Sequence, residues 1–187
     1  MTRLYSFQPH YFNNNGDQGN LEVITSAIRA SGSSFSVVNE PSNADFVLIG
    51  DCSIAVAAKY ESELRALVPT LSLRLESGLP TLLVGRSYEL LASDLGIELD
   101  FTDRVSAFVS EQDGDSEIWG YHNSLVSSPK VFRKGNFIAT TLFGPLLAKN
   151  PHVLKSMVGA MGVEIKLERM GALEALAAKA RSNTTFG

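Results

Sequence analysis

Two runs in the first half of the chain are apolar at every position, Phe46-Val47-Leu48-Ile49 and Leu82-Leu83-Val84. A strand with one wet face alternates apolar and polar residues, so unbroken runs of this length predict strands covered on both faces. Residues 3–7, 35–38, 45–49 and 81–84 are assigned as strands on this basis, the middle two parted by the turn Glu40-Pro41-Ser42-Asn43. Between them the period changes. Leu21, Ile24, Ala27 and Ile28 recur at helical spacing, with Gly32 as a stop, Asn20 as the N-cap and Glu22 in the first turn. Residues 54–77 carry Ile54, Ala57, Leu64, Leu67, Leu71 and Leu75 in a helical pattern that Pro69 should break or bend. A short helix over 88–95 follows Gly85-Arg86-Ser87. The order β-α-β-β-α-β-α predicts an α/β fold: a mostly parallel sheet with helices on both faces, a three-layer α/β/α domain.

The pattern shifts after residue 100. Short runs at 105–109, 116–121, 131–132 and 137–142 are parted by Asp/Gly/Ser/Pro turns and predict antiparallel hairpins. Asn150-Pro151 is an N-cap and first-turn pair for a helix over 151–161. A second helical pattern, 165–180, is interrupted by Gly171, and 182–187 is expected to fray. No repeat or linker divides the chain. One domain, 1–187, is expected, with a helical appendage at about 163–181.

Composition narrows the function. With 187 residues and 44% hydrophobic positions the chain can bury a core unaided. The formal charge of −4 gives no field for nucleic acid, and no apolar stretch approaches the ~20 residues that span a bilayer. The first ten residues lack the apolar run of a signal peptide, so a cytoplasmic protein is expected. A single cysteine, Cys52, excludes an internal disulfide and a cysteine-built metal cage; the three histidines, His10, His122 and His152, are scattered. No metal or cofactor is expected.

Three segments carry a resemblance. The first runs from Pro9 and closes in Gly16-Asp17-Gln18-Gly19-Asn20. The second is Gly78-Leu79-Pro80-Thr81-Leu82-Leu83-Val84-Gly85-Arg86-Ser87-Tyr88-Glu89-Leu90-Leu91. The third is Leu142-Phe143-Gly144-Pro145-Leu146-Leu147-Ala148-Lys149-Asn150-Pro151-His152. Together, in this order, they resemble the class I, CobB/CobQ-like glutamine amidotransferases, and within them the GatD glutaminase subunit of lipid II isoglutaminyl synthase. The resemblance covers most of residues 5–160 and implies a flavodoxin-like sheet with a nucleophile elbow after the fourth strand. In such enzymes a cysteine on the elbow attacks glutamine, a histidine activates it, and backbone N–H groups hold the oxyanion.

The chemistry does not carry over. The resemblance puts Gly85 at the cysteine position and Phe143 at the histidine position, and gives Arg86 and Ser87 where the family has glycines. The oxyanion loop reads Gly50-Asp51-Cys52-Ser53, and the family's Gly-aromatic-Glu-Asn-His element reads Gly120-Tyr121-His122-Asn123-Ser124. Gly50, Asp51, Arg86, Ser87, Tyr121 and Asn123 are therefore expected around the former pocket. The resemblance implies an inactive amidotransferase domain serving as a non-catalytic subunit or regulator, beside a Mur-ligase-like or other synthetase subunit or a second copy of itself. Two alternatives stand beside it: an active amidohydrolase using Cys52 with His122, and a small-molecule binding protein in which Arg86 anchors a carboxylate or phosphate. Residues 13–20 are read either as a rim of the pocket or as a turn that needs its Gly and Asn residues only to reverse direction.

Overall fold

The computed structural model describes residues 1–186, with side chains for all but Leu167 and Glu168. Its main sheet has six strands in the order β2-β1-β3-β4-β8-β7. These are β1 (Thr2–Ser6), β2 (Phe35–Val37), β3 (Phe46–Ile49), β4 (Thr81–Val84), β7 (Val131–Lys134) and β8 (Phe137–Thr140). All neighbours run parallel except β7 and β8. Every residue of β3, β4 and β8 is buried, as their unalternating sequences require.

Successive side chains of these strands feed opposite layers. Phe46, Leu48, Leu82 and Val84 pack with Ile24 and Ile28 of α1 (Gly19–Ala30) and with Val153, Leu154 and Met157 of a later helix, Pro151–Ala160. Val47, Ile49 and Leu83 pack with Tyr60 and Leu64 of α2 (Ile54–Arg65), Leu71 of α3 (Val68–Glu76), and Tyr88 and Leu91 of α4 (Arg86–Leu91). The expected three-layer arrangement is present. The helical pattern of 54–77 is two helices, with Pro69 in the first turn of the second, where its missing N–H costs nothing.

The second half departs further from expectation. Residues 131–134 and 137–140 form the expected antiparallel hairpin, β7-β8, but residues 137–142 are not one strand. They divide at Thr141: β8 joins the main sheet parallel to β4, and β9 (Leu142–Phe143) joins a separate antiparallel sheet, β5-β6-β9. There β5 (Asp100–Asp113) and β6 (Ser116–Ser128) form an arm much longer than the apolar runs at 105–109 and 116–121 suggested, because most of β5 faces water and carries polar residues. A short helix α5 (Leu146–Lys149) precedes α6 (Pro151–Ala160), and α7 (Leu167–Ser182) packs against both. α7 runs through Gly171 without a break. In the tail Phe186 sets its ring edge-on to Trp119 at 5.9 Å, and Gly187 lies outside the described residues.

Asn20 differs from its expected role as well. It lies inside α1, fully buried, and its Oδ1 accepts the Leu147 N–H of α5 at 2.9 Å. It thus caps another helix rather than its own. Asn150, between α5 and α6, ties these helices to β6: its Oδ1 accepts the Trp119 N–H and its Nδ2 donates to the Trp119 and Leu146 carbonyls.

Candidate functional site

β4 ends at Val84 and α4 begins at Arg86, with Gly85 the single residue between them. Gly85 has φ 61° and ψ −123°, a conformation closed to most L side chains. The turn is a strand-to-helix elbow at the C-terminal edge of a parallel sheet, where open α/β sheets bind ligands. A Cβ on Gly85 would stand 2.4 Å from Asp51 Oδ1 and 2.6 Å from Phe143 Cε1. Both the bare elbow and its packing therefore demand glycine.

Asp51 occupies this space through a set of donors. It follows β3 in the turn Gly50-Asp51-Cys52, where Gly50 lets the chain pass so close to the Phe12 carbonyl that a Cβ would lie 2.2 Å from it. Asp51 Oδ1 accepts the Arg86 N–H at 2.8 Å. Its Oδ2 accepts the side-chain amides of Asn14 at 3.1 Å and Asn15 at 2.8 Å.

Beneath it, Asp17 is fully buried. Its Oδ2 accepts the Asp51 N–H at 2.8 Å and its Oδ1 the Gly144 N–H at 3.3 Å. Burial pushes the Asp17 carboxyl up to about 6; the Asp51 charge adds to this, and the two backbone N–H groups and Lys149 oppose it. The Lys149 ammonium donates to the Phe143 carbonyl at 2.9 Å, and its own pKa is lowered by burial. Residues 13–20 are thus more than a turn: Asn14 and Asn15 hold the Asp51 side chain, Asp17 holds the loops that bear Asp51 and Phe143, and Asn20 holds α5.

These groups floor a polar cleft of about 190 Å³ lined by Asp51, Cys52, Arg86, Glu89, Arg104, Asn123 and Phe143 among others. Of the expected pocket residues, Asp51, Arg86 and Asn123 reach it. Gly50 is buried behind it. Ser87 is fully buried, its Oγ accepting the Val84 N–H and lying 2.9 Å from the Ile49 carbonyl, so it serves the elbow's backbone instead. Tyr121 sets its ring edge-on to Phe108 at 5.3 Å.

The alternative pair, Cys52 with His122, is not assembled. His122 is buried with Nδ1 2.8 Å from Thr141 Oγ1, and no hydrogen bond joins it to Cys52 among the described residues. Burial, then the Asp51 charge, pushes the Cys52 thiol up to about 12, with Arg86 pulling the other way. A thiol so raised is neutral at pH 7 and a poor nucleophile. Among the described residues no group of three His, Cys, Asp or Glu side chains could hold a metal ion, and no helix is long and apolar enough to cross a membrane.

No family model matches the chain, and no curated protein does. A glutamine amidotransferase from Thermotoga maritima superposes with a TM-score of 0.52 over 96% of this chain and 90% of that one, at 14% identity. The fold is that of a glutamine amidotransferase. A candidate GMP synthase subunit from Thermoplasma acidophilum has a TM-score of 0.49, also at 14% identity, over 87% of this chain and 94% of that one. On this amidotransferase fold the residues that sequence reasoning overlooked are Arg104, Glu89 and the Asp17–Lys149 support. Arg104 stands outside every motif, Glu89 lies in the second segment with no role assigned to it there, and Asp17 reaches its partners across 34 and 127 residues of chain.

Proposed function

We propose that this chain is an amidotransferase-fold protein without glutaminase chemistry, a non-catalytic subunit or regulator derived from a CobB/CobQ- or GatD-like ancestor. One observation carries the reading: the Asp51 carboxylate sits on the Arg86 N–H at the elbow, against a residue that has no side chain. In an acting glutaminase the N–H after the nucleophile is a donor to the developing oxyanion. Here that donor is already taken by a fixed negative charge, which repels a second one. Glycine at 85 supplies no nucleophile and phenylalanine at 143 no base. Either loss alone is close to fatal in a device whose parts act as a unit. The partner in this reading is a synthetase subunit of the Mur-ligase kind, met through surfaces other than an ammonia-producing site.

The purified chain should release no ammonia from millimolar glutamine above the rate of a heat-denatured control. Turnover that disappears in Cys52→Ala would sink the reading and restore cysteine chemistry.

A further inference from the structure

The cleft has an arginine that no motif announces. Between the pairs Phe101↔Val126 and Val105↔Ser124, β5 advances four residues while β6 advances two. The surplus bulges at Thr102–Arg104, and bulges of this kind re-aim a side chain. Arg104 is turned over the cleft and tethered there: its Nη1 donates to the Asn123 carbonyl at 3.2 Å and to Asn123 Oδ1 at 3.1 Å, while Ser106 Oγ donates to the same Oδ1 at 2.8 Å. Arg86 faces the same space from the elbow.

The charges in the cleft balance formally, but their hydrogen-bonding capacity does not. Both carboxylates are consumed internally. Asp51 is held by the Arg86 N–H and two asparagine amides, and Glu89 by Ser124 Oγ at 2.5 Å and the Arg86 guanidinium at 3.2 Å. A guanidinium carries five N–H donors. Among the described residues, each arginine engages protein acceptors through Nη1 alone, leaving Nε and Nη2 of both unclaimed. The surplus is of cationic donors in a fork geometry, which matches carboxylate and phosphate oxygens. Because Asp51 blocks the floor, an anion meets the two arginines at the lip.

We infer that Arg86 and Arg104 form a binding site for a small molecule bearing a carboxylate or phosphate, in a cleft of about 190 Å³. This rests on the non-catalytic reading, since an acting glutaminase would fill the same space with glutamine.

The test is titration of the ¹⁵N-labelled protein with inorganic phosphate and, separately, glutarate, at ionic strength held constant with chloride. Saturable shifts of the Arg86, Arg104 and Asn123 amides are expected with at least one probe, and which probe saturates identifies the class. Arg104→Gln, at an exposed position, and Arg86→Gln should each weaken binding tenfold or more, with the rest of the spectrum reporting an intact fold. Absence of saturation with both probes up to tens of millimolar, or binding that survives Arg104→Gln, would overturn the inference. The two readings fail separately: ammonia release sinks the non-catalytic one, whereas absent anion binding in an ammonia-silent protein sinks only this one.

Discussion

Asp17 and Arg74 are the two charged side chains whose burial most shapes the chain, and they settle it in opposite ways. Arg74 is 4% exposed and donates to Thr81 Oγ1 and to the carbonyls of Ala44, Asp45 and Pro80, so burial brings it down only to about 10 and it stays charged at neutral pH. Asp17 has two backbone donors, faces the Asp51 carboxylate and the Lys149 ammonium, and is raised to about 6. A carboxyl raised above its unfolded value of 3.8 keeps its proton longer when folded. Its contribution to stability is therefore greatest in acid and is lost as pH rises through about 4 to 6, the loss relative to acid reaching about 3 kcal/mol at neutrality. Asp17→Asn removes this titration. Urea unfolding of both proteins should show the wild type gaining on the variant by up to that amount between pH 7 and pH 4. Parallel stability profiles would mean that Asp17 ionises as an exposed carboxylate does.

The elbow between β4 and α4 is an element whose strain and packing can be separated. Gly85→Ala meets both a positive φ and the Asp51 carboxylate, and should cost about 3 kcal/mol or more. In an Asp51→Gly background only the backbone cost and the Phe143 ring remain, so the same change should cost at least about 1 kcal/mol less. Denaturant melts of the four proteins close this cycle. Equal costs in the two backgrounds would mean that Asp51 does not occupy the space over Gly85. The cycle also bears on attempts to rebuild a nucleophile here: Gly85→Cys with Phe143→His places its thiol where a carboxylate stands, so Asp51 must be removed as well.

At the scale of the whole molecule, Asn150 ties the β5-β6-β9 sheet to the helices α5 and α6 that pack on the main sheet. It pairs with both backbone groups of Trp119, the chain's one tryptophan, which is 4% exposed. Asn150→Ala leaves a buried N–H and a buried C=O without partners and should cost about 2–4 kcal/mol. It should also loosen Trp119 from α5 and α6, shifting its emission to the red before global unfolding. A variant of unchanged stability and emission would show that Trp119 is held by other contacts.

The sequence determined the layered plan. Unalternating apolar runs such as Phe46-Val47-Leu48-Ile49 call for cover on both faces, the helical patterns between them supply it, and Gly85 before a helical pattern marks a sharp turn. These are local properties, written in composition and period. Residues 137–142 were not legible in the same way, because an apolar run joins whichever strand edge tertiary packing presents, here two edges of two sheets. The cleft was legible through Gly85 and Phe143, which the resemblance put side by side and the fold brings into contact. What fills it was not: Asp51 belongs there because donors at Asn14, Asn15 and Arg86 converge on it, and Arg104 because two surplus residues in β5 swing it over the cleft. Convergence across tens of residues leaves no period in a chain. Only the folded backbone, by closing those distances, decided which polar groups met and which were left over to bind something else.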